Sequence, residues 1–564
     1  MNDNEIKEDF KSFYMAVILC GLVVLAMNYF FPKPQPTATE EAAVEMSVNE
    51  QEGENTPSDV ENNPEESDFR DVEEVIKQDP RLPLKNDSIS GSIRLKGARI
   101  DQIMLTKYKQ TIEENSPSVV LFNPAKTENA FFAEYGWLSS DKTLALPTRD
   151  TIWTVEENTE LTPQTPTTLT WDNRQGLKFT YQISLDDHYL FHVKQTVENN
   201  TGHEVTLIPY GILSKSISAD AAGRSIVHEG FTGIIDNKLK EIKYAKISDK
   251  GESYETTGGW ISFSDKYWFG AFIFNDSYQA KVDLRKINDH LYQLDYKGLP
   301  MQIQSGSSAG VSTELFAGAK EIKLLDTYAK TINKFDLAVD FGWYYFITKP
   351  FFYILDFLYH FIGNMGWAIL LFAALLRLLM FPIANKSYDN MSKMKKVQPK
   401  LAVLQQMYKD DKVALQRATM DLYKREKINP AGGCLPMFIQ IPIFFSLYKV
   451  LNIAIEIRHA PFIGWVKDLS APDPLTISQW SHIWVPSALD IGLWPLIYGL
   501  TMFIQTKLNP QPANKDQARM FALMPLIFMI MFAHFAVGLV IYWTLSNILS
   551  IIQQKIIMHK NGVK

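Results

Sequence analysis

The 564-residue sequence predicts a polytopic α-helical membrane protein, with six transmembrane helices and a large antiparallel β-sandwich domain held outside the membrane. Three observations carry that prediction. Apolar runs of spanning length recur at the N-terminus and through the C-terminal 200 or so residues. Between Ile89 and about Asp336 the hydrophobic pattern has period two instead. A strongly basic segment after Asn385 then fixes the orientation, because basic loops stay in the cytoplasm.

The first element is Phe13 to Phe31, 19 uncharged residues and long enough to span. Its N-terminal flank is more acidic than basic and no small-residue cleavage site follows, so residues 1–31 read as an uncleaved anchor. Cys20 follows bulky Leu19, where a lipoprotein site wants a small residue, and with Cys434 as the other cysteine no disulfide framework is implied. Residues 32–84 are rich in Pro, Glu, Asp, Asn and Ser and poor in aromatics. They cannot bury enough apolar surface to fold, and form a disordered linker.

Residues 85–338 make the β domain. "LKFTYQISLDDHYLFHVKQTVEN" alternates Leu177, Phe179, Tyr181, Ile183 and Leu185, turns at Asp186-Asp187, and resumes through Tyr189, Phe191 and Val193. That is a hairpin with one buried face. Similar runs include "GWISFSDKYWFGAFIF" and "HLYQLDYKGLPMQIQ", with no helical pattern between them. "GSSAG", Gly306 to Gly310, matches the nucleophile elbow G-x-S-x-G, but strand-like sequence flanks it on both sides, so it reads as a hairpin loop. The ten histidines show no metal-ligand spacing and there is no phosphate-binding glycine loop, so neither a cofactor nor an enzyme activity is expected.

Residues 339–564 follow as a helical core. "DFGWYYFITKPFFYILDFLYHFIG" is dense in Trp, Tyr and Phe and reads as a helix lying at the outer interface. Next comes "ILLFAALLRLLMFPIAN", a span interrupted by Arg377. Lys386 lies nine residues further on, about 13 Å along a straight helix. Arginine at mid-bilayer costs roughly 2.5 to 3.5 kcal/mol. The side chain either snorkels to the surface or faces a polar cavity. Four further spans are expected at about Leu435 to Ile455, Trp484 to Thr506, Met520 to Phe535 and Val537 to Ile557, the last two joined as a tight hairpin. Between Asn385 and Gly432 eleven Lys/Arg face five Asp/Glu, a surplus of six; with a net charge of −7 the remainder sums to about −13. Placing this segment inside puts the β domain outside and both termini inside. Nothing in it resembles a nucleic-acid-binding fold, so no specific nucleic-acid partner is expected. Residues 385–430 read as a hairpin of two amphipathic helices broken at "KDDK", its methionines either core filler or an adaptable apolar surface.

Helix neighbours of Arg377 include Ala373 and Ala374, with Gly366 three turns back, a small face that either leaves room for the guanidinium or packs closely on another helix. Tyr498, Thr501 and Gln505 share a face of one span. Tyr542, Ser546, Ser550 and Gln553 share a face of the last, and Gln440 lies between Pro436 and Pro442. Singly, each suits an interhelical hydrogen bond. Together with an arginine that has no acidic partner in a span, they suggest a wet cavity of positive potential. No Asp or Glu lies centrally in any span, so ion-coupled transport has no evident carrier.

"NPAGGCLPMFIQIPIFFSLYKVL", "APFIGWVKDLSAPDP", "VGLVIYWTLSNILSIIQQ" and "LLRLLMFP" with "KMKKVQPKL" closely resemble the YidC-type membrane protein insertases, almost continuously from Asp340 onward. The β domain and anchor resemble the extended Gram-negative form. The resemblance implies a bacterial inner-membrane protein with a periplasmic β domain and cytoplasmic termini. It implies a hydrophilic groove, open to cytoplasm and lipid, whose central arginine matches Arg377, with Gln440, Tyr498, Thr501, Gln505, Tyr542 and Ser546 contributing polarity. A surface along which a substrate helix slides matches Phe438, Ile441, Ile527 and Met531. Implied partners are nascent inner-membrane proteins, the Sec translocon, membrane lipids, and the ribosome through the cytoplasmic basic loops. Two positions depart from the family: Ala373 stands where a hydroxyl is frequent, and Trp543 where a second tyrosine is. The short tail after Ile557 argues against a long ribosome-binding extension. Rival classes are a passive membrane-complex assembly scaffold and a groove-type channel or lipid-moving protein. A channel would conduct without substrate; a scaffold would tolerate loss of groove polarity.

Overall fold

The computed structural model describes residues 69–562 apart from 218–226, 249, 410, 427, 429–434, 487–488 and 511–514. The expected anchor at Phe13 to Phe31, most of the linker, Cys20 and Cys434 lie outside the described residues. The chain divides into two compact units at Asp340/Phe341.

Among the described residues the first unit has seventeen strands, paired antiparallel, and two short α-helices, α1 (Val72–Ile76) and α2 (Ile322–Tyr328). Leu177–Leu185 pairs with Leu190–Asn199, and the inward residues Leu177, Phe179, Tyr181, Ile183 and Leu185 are buried as the alternation requires. Asp186 closes the turn by accepting from the backbone N–H groups of His188 and Leu190, both at 2.9 Å. Other strands break the alternation. Gly230–Ile235 is buried at every position and Phe131–Leu138 at all but its last, so these strands are covered on both faces. In the "GSSAG" stretch Gly306 turns with φ +77° and Ser308 sits exposed in strand Ser307–Ala319 opposite Glu198. A strand-to-strand turn of this kind holds no nucleophile elbow.

The second unit is helical. The aromatic stretch forms α3 (Tyr345–Ile362), closed by Gly363 with φ +79°, whose N–H donates to the Tyr359 carbonyl. α4 (Met365–Leu379) follows, and here the sequence expectation fails in one respect. The apolar run does not continue as one straight helix. It ends at Met380, and α5 (Phe381–Met407) leaves at a bend of 65°. Pro382 is the cause: it has no N–H to offer the Leu378 carbonyl, but it suits the first turn of a new helix. The 13 Å rise from Arg377 to Lys386 therefore does not apply, and Arg377 occupies the last turn of α4. The hairpin begins earlier than expected, since α5 is continuous from Phe381. Its second helix, α6 (Lys412–Arg425), is capped by Asp411 and tied back by the Lys400–Glu426 ion pair.

α7 (Leu435–Ile453), the short α8 (Ile477–Ser481), α9 (Leu493–Leu508), α10 (Lys515–Phe532) and α11 (Val537–Lys560) complete the unit. α9 starts nine residues later than the apolar run from Trp484, because Asp473 fixes its first turn by accepting from the Trp494 N–H at 2.7 Å. Among the described residues α11 alone is long and apolar enough to cross a membrane by itself, and α4 with α5 qualifies as a bent pair. The apolar parts of α7 and α10, Phe438–Ile453 and Ala518–Phe532, are shorter.

Candidate functional site

α4 is amphipathic between two apolar environments. Ala368, Ile369, Phe372 and Ala373 are buried against the unit, while Trp367, Leu371, Leu375 and Leu378 form an exposed apolar stripe. Arg377 lies half-buried between these faces. In the last helical turn its charge is favoured by the carbonyl end of the helix dipole. Its Nη2 donates to the Tyr388 hydroxyl at 2.8 Å and to the Ser550 hydroxyl, while its Nε is buried without a hydrogen-bond partner. Among the described residues no carboxylate pairs with it. The guanidinium is therefore solvated by neutral hydroxyls, which satisfy donors and leave the full positive charge.

Three helices build this centre. Ser550 comes from α11 and donates in turn to the Ser546 carbonyl at 2.7 Å. Tyr388 comes from α5, which the Pro382 bend folds into reach. On α11 the Tyr542 hydroxyl accepts from Gln440 of α7 at 3.2 Å. Further toward the α11 C-terminus Gln553 donates to Asn385 at 2.8 Å and to the Phe381 carbonyl, and Asn561 donates to Asp389 at 2.8 Å. These are rungs between α11 and α5.

The other sequence-derived site residues lie apart from this cluster. Tyr498 packs its ring against Phe532 and Trp543, at centroid distances of 5.0 and 6.1 Å, in an aromatic core with Phe444 and Phe528. Thr501 donates to the Tyr498 carbonyl at 2.7 Å and accepts from Asn547 at 3.4 Å. Gln505 is half-buried lower on α9. Phe438 and Ile441, each 41% exposed, and Ile527 and Met531, at 54% and 40%, sit on apolar stripes of α7 and α10 extended by Phe445 and Leu523. Tyr388, Asn385 and Asn547 are absent from the sequence-derived set. Pro382, five residues beyond Arg377, is the one signal that pointed to the bend and so to Tyr388.

The small face of α4 is filled. A Cβ on Gly366 would stand 2.0 Å from the Phe462 ring, so this glycine serves close packing. The same connection, residues 460–473, covers the end of α11 remote from α5: Val537 and Gly538 donate their N–H groups to the Ala471 and Leu469 carbonyls at 2.8 and 3.0 Å. Polarity is concentrated at the α5 end and helix starts are capped at the other. Among the described residues no group of three or more His, Cys, Asp and Glu side chains converges to hold a metal ion.

Comparison with known proteins agrees with this division. Residues 81–354 match the YidC periplasmic domain, and residues 357–563 match the 60Kd inner membrane protein family. The chain is 43% identical to the membrane protein insertase YidC of Beijerinckia indica over 99% of its length and 97% of the relative's. It is 42% identical to that of Bradyrhizobium diazoefficiens at the same coverages. Identity to the Rickettsia bellii insertase is 41%, over 96% of this chain and 97% of that one.

Proposed function

The chain belongs to the YidC family of membrane protein insertases, and from that premise we propose that it inserts and folds proteins in the bacterial inner membrane through a hydrophilic groove centred on Arg377. Six spans, counting the anchor at Phe13 to Phe31, place the β unit in the periplasm and both termini in the cytoplasm. The observation that carries this reading is a guanidinium held only by hydroxyls at the α5 end of a helix bundle. Such a charge attracts the short acidic outer segment of an incoming chain and shortens its path through lipid. Gln440, Tyr542 and Ser546 add polarity beside it, and half-buried Gln505 adds more from α9, while Tyr498 and Thr501 are taken up in the packing of α9 on α11. The substrate's apolar helix leaves along Phe438, Ile441, Ile527 and Met531, whose exposure suits lipid and a passing helix alike. Partition of that helix into lipid supplies the driving force. The chain works alone or beside the Sec translocon, with its basic hairpin loops facing the ribosome.

The test is insertion of a small one- or two-span substrate into liposomes, read by protease protection, with wild type and Arg377→Ala compared. Wild type should insert, and the variant should lose at least about tenfold in initial rate, the worth of one charge-assisted contact. Equal insertion by both removes Arg377 from the mechanism. No insertion above empty liposomes favours an assembly scaffold, and ion conductance without substrate favours a channel.

A further inference from the structure

Arg377 is engaged in a way that an insertase groove does not by itself require. A guanidinium offers two edges for bidentate pairing with a carboxylate, Nε with Nη2 and Nη1 with Nη2. Both edges contain Nη2, and both hydroxyls sit on Nη2. Nε, the other half of one edge, is buried and unpartnered. No carboxylate can therefore form the two-bond pair until a hydroxyl leaves. Ser550 is fixed by its own bond to the Ser546 carbonyl. The Tyr388 hydroxyl is held by Arg377.

Building on the groove reading above, we propose that Tyr388 is a positioning residue that keeps Arg377 occupied until a carboxylate of the incoming segment displaces it, and that this exchange loosens α5 from α11. The exchange is favourable because an ionised acceptor bonds a guanidinium about twice as strongly as a neutral one. It reaches the hairpin because Tyr388 lies within one turn of Asn385 and next to Asp389, the residues that bond Gln553 and Asn561 of α11. Tyr388 thus links the hairpin's first helix through Arg377 of α4 to Ser550 of α11, beside the direct rungs between α5 and α11, and this is the link that substrate removes. The coupling is reciprocal: a hairpin drawn away from α11 also bares Arg377. The substrate class selected is an outer segment carrying Asp or Glu, as against its amide or uncharged counterpart.

Two readouts on the full-length protein test this. Amide hydrogen exchange across residues 384–396 is measured in lipid nanodiscs for wild type, Tyr388→Phe and Ser550→Ala. Liposome insertion is measured for one substrate carrying Asp in its outer segment and its Asn counterpart. Tyr388→Phe keeps the ring and its packing but loses the link. Exchange should rise about tenfold, as for loss of one hydrogen bond to a charged group, while Ser550→Ala leaves it unchanged. Initial insertion should rise about threefold for the Asp substrate and hold constant for the Asn one. Unmoved exchange, or equal change for both substrates, overturns the proposal. Loss of insertion in Arg377→Ala with an inert Tyr388→Phe would sink this step alone. Full insertion in Arg377→Ala would sink the groove reading and the displacement with it.

Discussion

The two units treat buried and half-buried arginines in opposite ways. In the β unit Arg99 bonds Glu134 through Nε at 3.0 Å with its guanidinium 4.1 Å above the Phe132 ring, Arg81 bonds Asp101, and Arg285 bonds Asp295. Each charge is cancelled where it stands. In the helical unit Arg377 finds two hydroxyls and no carboxylate among the described residues. A paired charge fixes a core; one solvated by neutral donors and acceptors keeps its field for something that arrives. That contrast separates a structural arginine from a working one in a single chain.

The largest expected effect lies on the paired side. Glu134→Ala removes the carboxylate that Arg99 bonds in the core, at a cost of about 3 kcal/mol. For a unit of this size that lowers the β-unit melting temperature by about 10 °C, read by calorimetry on the full-length protein. A loss under about 1 kcal/mol would mean that the pair does not hold the core, and the contrast would break from that side.

A second effect concerns pH. His228 donates from Nε2 to the Phe231 carbonyl at 2.9 Å; burial pushes its imidazole down to about 4, with that hydrogen bond and Asp340 opposing and Lys320 and Lys243 pushing the same way. Below the ordinary value of 6.5 the unfolded chain takes up a proton that the folded one refuses until about pH 4. Stability of the β unit therefore falls as pH drops through that window, by at most about 3 kcal/mol. His228→Gln keeps a donor and removes the titration, so the difference in melting temperature between the two proteins should shrink or reverse steadily from pH 7 to pH 4. A constant difference would show that the imidazole does not titrate with folding.

How much of this was legible from the residues differs between the units in the same way. The hairpin at Leu177 to Val193 announced itself because only one of its faces is buried. Gly230–Ile235 did not, because a strand covered on both sides has no period to read. Arg377 was conspicuous as a charge within an apolar run, and Ser550 stood on a polar stripe. Tyr388 was hidden by the assumption that the run through Pro382 is straight; only the 65° bend brings it back. Tyr498 and Gly366 show the reverse: polar by name or empty by size, they are consumed by the Phe532 and Phe462 rings.

The smallest expected effect is also the sharpest test of the contrast. Arg377→Met keeps much of the side chain's length and removes the charge. It forfeits two bonds to hydroxyls, but Ser550 retains its acceptor at Ser546, and the desolvation cost of a half-buried guanidinium disappears with it. The two terms are of similar size and opposite sign, so thermal unfolding of the helical unit should shift by less than about 1 kcal/mol in either direction. Insertion of a substrate with an acidic outer segment should meanwhile collapse. A destabilisation comparable to that of Glu134→Ala would place Arg377 among the structural arginines, its hydroxyl partners serving the fold as the carboxylates do in the β unit. Stability retained with insertion lost is the signature of a charge that the fold tolerates for its function.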